Sequence, residues 1–444
     1  MLAYFSSALW GWHTLILILA AGVYFSYESA FFQLLHIRRW MSAALSSVRK
    51  SKSQGGNSGF QALSTALAGS IGTGNIVGVA TAVTVGGPGA LFWMCASATL
   101  GMMTVYAENY FAAKYCGEGR GPGPLSYIER AGRFGGALAW IYSLGCVLSS
   151  LGMGNMIQMN ALCAACSDLG LPPAAVAAFG GLLVFFVARG GLGFAVRITE
   201  KLVPVMTLLF VAASLMVLFV KRDNLPAVIG SIYEGAFSLR AGAGGTAGMF
   251  IAIRSGVSRG VFTNEAGLGS SAFAYQDVRD HTPNQLGCMG IFQVFADTIL
   301  MCSLTGLCIL CAGSIDVDGA ALTLFAYRMA LGEAGGAAVS LCTALFALGT
   351  VIAWCCYGKE GLSYLAGARA AKLYPILAAG AAVLGCIMPL SAVFEIGDAF
   401  NGLMAVPNVV ALFIIAATEK SGGLENKPRG HKNIRKRRQI SQRG

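Results

Sequence analysis

Charge is what this sequence has least of. Only 11% of its 444 residues are Asp, Glu, Lys or Arg, against about a quarter in ordinary soluble domains. A chain so poor in charge cannot cover a water-facing surface, which excludes a soluble globular domain of this size. Histidine is scarce too. His13, His36, His281 and His431 are the whole set, all near span ends or loops, and they form no cluster. A metal centre built on imidazole is therefore not expected. There is no H-E-x-x-H, no serine nucleophile elbow and no pair of carboxylates gathered in an accessible loop, so a membrane enzyme finds no support. No ATP-binding P-loop is present, which disfavours primary active transport by this chain alone. The N-terminus lacks a basic stretch ahead of its apolar run and reads as a retained first helix, not a cleaved signal.

Apolar residues fill the gap, at 56% of the chain. Uncharged runs such as 202–220, 374–394 and 400–418 recur from end to end. Runs of roughly 18 or more such residues read as transmembrane helices, so the fold class is an all-α polytopic membrane protein. The 13 cysteines lie almost entirely inside these runs. Cys163/Cys166 and Cys308/Cys311 have CxxC spacing, but their neighbours are Ala, Leu and Ile, so they read as small packing residues.

Eleven spans are expected, at 10–33, 58–84, 89–114, 135–163, 173–189, 197–220, 244–275, 284–311, 337–357, 373–393 and 400–418. Charge orients them. "HIRRWMSAALSSVRKSK" after the first span is dense in Arg and Lys and belongs in the cytoplasm. Alternation then puts Lys114 to Arg133, Arg189 to Lys201, Arg279, Lys359 to Lys372 and the basic tail inside, with "SIDVDG" and "FEIGD" outside. Lys221 and Arg222 are the exceptions. The N-terminus faces out and the C-terminus in, as in a multi-pass plasma-membrane protein. The net charge of +11 comes mostly from the tail, where nine Lys or Arg face one acid, Glu425. That composition reads as a disordered cytoplasmic tail near anionic lipid; "NIRKRRQ" is weak evidence for nucleic acid, and no nucleic-acid partner is expected.

Two of the spans are interrupted. "GSIGTGN" breaks one near residue 73, and "VFTNEAGLGSS" breaks another near residue 264. Gln158 lies 84 positions beyond Gly74, and Thr350 lies 86 positions beyond Asn264. Each half has five spans and begins with a Gly-interrupted helix. An odd number per repeat implies opposite orientation, the pattern of an inverted-repeat secondary transporter. The expected division is 1–57 for the first helix and basic linker, 58–223 and 224–418 for the repeats, and 419–444 for the tail. Non-helical backbone at membrane depth is tolerated where it is buried or lines a polar cavity. There its amides can hold a carboxylate and its carbonyls a cation. The competing reading of Gly72, Gly74 and Gly78 is a helix-packing face.

The stretches "FQALSTALAGSIGTGNIVGVATAVTVGGPGALFWM", "GNMIQMNA", "SGVSRGVFTNEAGLGSSAFA" and "FNGLMAVPNVVAL" together resemble the alanine/glycine:cation symporter family, from near Trp10 to about Thr418. The resemblance implies a LeuT-like fold of ten core helices with one extra span in front. It implies coupling of a small amino acid to Na+ or H+, no other cofactor, and function as a monomer. Carried over by position, Thr73, Gly74 and Asn75 match the substrate-binding break of the first core helix. Gln158 matches a polar residue of the third, Phe262, Thr263 and Asn264 the break of the sixth, and Thr350 a hydroxyl of the eighth. For sodium, the fold offers the carbonyls of Ala68 and Ile71 and the hydroxyl of Thr350. One departure stands out: "LGTVIAWCCYGKE" places Gly349 where family members commonly have a serine, so one sodium ligand is missing.

Four further polar groups are weighed from the sequence. Asp297, in "FQVFADTIL", lies well inside a span, where an unpaired carboxylate is expensive; it reads as a cation ligand, a proton carrier or a structural anchor. Glu265, beside the second break, reads as a cation ligand or a cap on the following half-helix. Arg254 and Arg259 read as vestibule residues or one side of a gate with an acid. Glu108 reads as an inner-gate or interfacial residue. A channel is disfavoured because no pore-loop repeats appear, while an amino-acid-sensing transceptor stays open. The expected function is cation-coupled symport of a small neutral amino acid such as alanine or glycine.

Overall fold

A computed structural model of the chain describes residues 2–49, 57–117, 121–168, 170–237, 245–313 and 319–422. Residues 423–444 of the expected tail 419–444 and most of "SIDVDG" lie outside these residues, while 419–422 continue the last helix. All regular structure among the described residues is helical. Among the described residues seven helices are long and apolar enough to cross a bilayer, or eight when the bent pair Gly59–Ser70 and Thr73–Gly86 counts as one span.

Two of the seven are long runs kinked at glycines. Pro173–Val220 turns at Gly191, where φ is 67°. The run Ala320–Ala370 turns at Gly332 and Gly367, with φ of 68° and 82°. Side chains rarely adopt such angles, and glycine does so freely. Helix starts are also written in the sequence. Ser58 and Gln61 form a reciprocal capping box, as do Thr282 and Gln285, and Pro173 and Pro283 occupy first-turn positions where no amide is needed.

Several boundaries move. The last helix runs Leu390–Gly422, so "FEIGD" is helical and not a loop. The helix before it is Tyr374–Ile387, shorter than the expected 373–393. The basic linker after the first span is itself a helix, Ile37–Arg49, because Trp40, Ala44 and Ser47 recur on one face and are buried.

Two helices that carry expected site residues include a π-helical stretch. One is Gly152–Ile157, immediately before Gln158, and the other is Phe295–Cys302, which contains Asp297. Such stretches free backbone carbonyls from the regular ladder.

Candidate functional site

The first break is where the chain abandons helical bonding. In a continuing helix the Gly72 amide would close onto the Ala68 carbonyl. Instead it donates to Asn75 Oδ1 at 3.0 Å. The Ala68 carbonyl takes its hydrogen bond from Thr350 Oγ1 at 3.1 Å, across 282 positions of sequence. Gln158 closes the other side. Its Oε1 accepts from the Thr73 amide at 3.1 Å and from Thr73 Oγ1 at 2.9 Å, while its Nε2 donates to Met153 O at 3.0 Å. Met153 belongs to the π-helical stretch, which supplies the free carbonyl. Gly72 is required here: a Cβ would lie 2.4 Å from Thr350 Oγ1. The break is thus held by Gln158 and Thr350, the two residues picked out at matching distances beyond the breaks.

Asn75 faces a second cluster. Its Nδ2 donates to Asp297 Oδ1 at 2.8 Å and to Asp297 O at 3.0 Å. Asp297 Oδ2 accepts from Thr298 Oγ1 at 2.7 Å, and Thr298 Oγ1 lies 3.2 Å from Thr263 Oγ1. Thr305 Oγ1 donates to the Asn75 carbonyl at 2.7 Å. Every one of these side chains is buried. Asp297 therefore joins the first break to the second, and no cationic side chain pairs with it among the described residues.

The second break spans 265–271, between the helices Gly245–Asn264 and Ala272–Tyr275. Gly74 packs against the end of the helix that leads into it, its backbone facing Thr263 and Phe262. Glu265 sits at φ 59°, a left-handed conformation that costs a non-glycine residue roughly 1–3 kcal/mol. Its carboxylate accepts from Trp354 Nε1 at 2.8 Å and from Ser270 Oγ, not from an amide of the following helix, so the capping reading does not describe its bonding. Asn264 Oδ1 accepts from the Ala266 amide at 3.0 Å, and its Nδ2 has no protein partner.

Glu108 is fully buried in the protein. Its Oε1 accepts from the Gly269 amide at 3.0 Å and from Asn408 Nδ2 at 2.7 Å. Asn408 also donates to Gly267 O at 2.9 Å. Glu108 and Asn408 thus grip the glycine-rich segment from two other spans.

Arg259 and Asp398 form a two-pronged ion pair at 3.2 and 2.7 Å. The guanidinium lies 4.7 Å from the Phe394 ring centre and 5.4 Å from that of Phe262. Above the pair a cavity of about 500 Å³ is lined by Ser6, Trp10, Arg254, Ser255 and Glu395 among others. Arg254 lines this cavity unpaired with an acid among the described residues, while Arg259 is paired with Asp398. Phe262, on the floor of this arrangement, separates it from Gly74. The nearby sequence Gly256-Val257-Ser258-Arg259-Gly260 fits the G-x-S-x-G pattern but lies inside an unbroken helix, and Ser258 accepts from Trp10 Nε1; it is no nucleophile elbow.

The structure brings together Thr73, Gly74, Asn75, Gln158, Phe262, Thr263, Thr350 and Asp297. Ala68 lies beside Thr350, while Glu265 opens the second break and Glu108 accepts from its Gly269 amide. Sequence reasoning missed Asp398, Asn408, Thr298 and Trp354. Asp398 was hidden in "FEIGD", read as a loop. Asn408 carried a usable signal, an amide directly after Pro407 inside an apolar run.

Residues 1–422 match the model of the sodium:alanine symporter family. The sodium/alanine symporter AgcS of Methanococcus maripaludis is 35% identical over 446 residues, covering 97% of this chain and 96% of that protein. An uncharacterized transporter of Haemophilus influenzae is 37% identical over 430 residues, covering 93% and 92%. The protein named "Probable sodium/glutamine symporter GlnT" in Bacillus subtilis is 30% identical over 424 residues, covering 92% and 86%.

Proposed function

The chain belongs to the sodium:alanine symporter family, a family of transporters and not of enzymes, and from that premise we propose that it couples uptake of alanine or glycine to entry of Na+ by alternating access. One observation carries the reading. Gln158 and Thr350, one from each half, converge on a first break that faces the second break. On this reading Gly191 and Gly367 divide the two long runs and the broken helix that includes Gly245–Asn264 adds one more, giving eleven spans. The stretches 58–223 and 224–418 are inverted repeats of a LeuT-like core. The vestibule that includes Ser6 and Trp10 opens outward with the N-terminus, while Lys114–Glu419 and Lys420–Glu28 pair at the cytoplasmic end.

The substrate carboxylate docks on the Thr73–Asn75 turn, displacing or sharing the hydrogen bonds that Gln158 makes there. Gly74, Phe262, Thr263 and Asn264 bound a small side-chain space, and the unpartnered Asn264 Nδ2 offers a donor toward it. Na+ is held by Ala68 O, Thr350 Oγ1 and Ile71 O; two of these oxygens are already within 3.1 Å of each other. Arg259–Asp398 and Phe262 close the outer side, and Glu108 holds the second break on the inner side.

The deciding experiment is labelled-alanine uptake into proteoliposomes, with an inward Na+ gradient against a choline control at matched pH. Accumulation is expected only with Na+. No accumulation with Na+ or with a pH gradient would overturn the reading in favour of another substrate or a sensing transceptor. Unlabelled glycine should compete better than glutamine; stronger competition by glutamine would align the pocket with the relative named for that substrate.

Proton coupling is the second reading, favoured by Asp297, a fully buried carboxylate whose side-chain partners are the neutral Asn75 and Thr298. Asp297 and Glu265 are then the proton carriers, and uptake follows a pH gradient without Na+.

Gly349 gives a sharper prediction. A Cβ there meets only ordinary contacts, 3.5 Å from Met206 Cε and 3.7 Å from Ala68 Cβ. A serine fits and places a hydroxyl beside Ala68. Gly349→Ser is expected to lower the Na+ concentration for half-maximal uptake by about tenfold, the scale of one added ligand. An unchanged Na+ dependence would remove Gly349 from the cation site.

A further inference from the structure

Away from the transport path, an apolar groove of about 750 Å³ lies open between two spans. One wall is the stretch Ala178–Phe185, and the other runs from Ile376 to Leu384. Small residues, Gly181, Ala379 and Gly380, line it. A Cβ on Gly181 would meet Val383 at 2.7 Å, so the helices touch at the floor, whereas a Cβ on Gly380 would meet nothing within 4 Å. The walls offer almost no polar surface, which suits a hydrocarbon chain and not a water-soluble ligand.

One end of the groove is cationic. Arg189 follows Phe185 by one helical turn, and its guanidinium lies 5.7 Å from the Phe185 ring. On the opposite wall Lys372 precedes Ile376 by one turn. Both cations are exposed, and neither takes part in an ion pair among the described residues. Lys359 adds its charge at the same end, its Nζ 3.4 Å from Ala188 O. The stretches 173–197 and 359–376 hold Arg189, Arg197, Lys359, Arg369 and Lys372 against the single acid Glu360. A groove sized for acyl chains that ends between uncompensated cations has the charge and shape of an anionic phospholipid.

We infer that this groove is a binding site for an anionic phospholipid, with its acyl chain along Gly181 and Gly380 and its phosphate between Arg189 and Lys372. The positive end is the one that the loop charges assign to the cytoplasm, so the site draws from the inner leaflet.

The test is native mass spectrometry of the full chain in detergent, with phosphatidylglycerol or phosphatidylcholine of identical acyl chains. Wild type is expected to retain phosphatidylglycerol about thirtyfold more tightly, the scale of two near-surface cations. The pair Arg189→Gln and Lys372→Gln should bring phosphatidylglycerol down to the phosphatidylcholine level, while Arg189→Lys with Lys372→Arg should keep the preference. Gly380→Leu, which enters open space, should weaken both lipids. Equal retention of the two lipids by wild type would overturn the proposal, as would unchanged phosphatidylglycerol retention in the double Gln variant. A species of twice the chain mass that disappears in Gly380→Leu would assign the groove to a second copy of the chain instead. Monomer elution and melting temperature of each variant show that it is folded, so a loss of lipid is read as a loss of the site.

Discussion

Asn75→Ala is expected to lower alanine uptake by about 100-fold or more while the protein still reaches the membrane. The side chain of Asn75 serves both faces of the first break. Its Oδ1 holds the Gly72 amide that has left the helix, and its Nδ2 holds the side chain and carbonyl of Asp297. Alanine leaves a buried amide, a buried carboxylate oxygen and a buried carbonyl short of a partner. Each buried group left unsatisfied costs about 1–3 kcal/mol, and two of them already reach the size of a 100-fold change. The damage is local because the two half-helices keep their own ladders and the capping box at Ser58 is distant. Expression and detergent monodispersity should therefore be near wild type. Asn75→Asp is the informative companion. It keeps the acceptor for Gly72 but sets a second carboxylate against Asp297, and like charges at that distance are mutually destabilising. Uptake by Asn75→Ala at the wild-type rate would refute the placement of substrate at this break.

The parts of this arrangement differ in how far they can be read from the residues. The breaks were visible because glycine, threonine and asparagine interrupt apolar runs, and lipid forbids an unsatisfied backbone. Gln158 and Thr350 were visible as polar residues at matching distances beyond those breaks. The kink at Gly191 falls in the glycine-rich, charged stretch that separates the expected spans 173–189 and 197–220. Asp398 was not. It stands near the start of an apolar run, where an acid reads equally well as a loop or a helix end, and only the packing of Leu390–Gly422 turns it toward Arg259. Glu108 failed for a related reason. Its distance from the end of Gly89–Lys114 suggested an interface, yet Asn408 and the Gly269 amide, both remote in sequence, make a buried carboxylate tenable there. A hydrogen-bond partner 300 positions away leaves no trace in local pattern. The π-helical stretches are equally silent, since they keep helical composition while releasing the carbonyls of Met153 and Asp297.

The Arg259–Asp398 pair supports the second large prediction. Its side chains are 14% and 10% exposed, so water screens it weakly. Removing one partner of a largely buried pair costs about 3–5 kcal/mol, because the other is left charged and uncompensated. Arg259→Gln and Asp398→Asn should each lower uptake by about 100-fold or more. The pair stands between the cavity lined by Trp10 and Arg254 and the ring of Phe262, which packs toward Gly74. Its loss should impair closure over substrate more than contact with substrate. Alanine binding to the detergent-purified variants is therefore expected within about tenfold of wild type, while transport collapses. The double variant decides between a pair acting as a unit and two separate roles. A shared role predicts that Arg259→Gln with Asp398→Asn transports no worse than either single change, since neither charge is then stranded. Additive losses would mean that Arg259 acts mainly through the Phe262 and Phe394 rings, and Asp398 through something other than Arg259. Wild-type transport in both single variants would place the outer closure elsewhere.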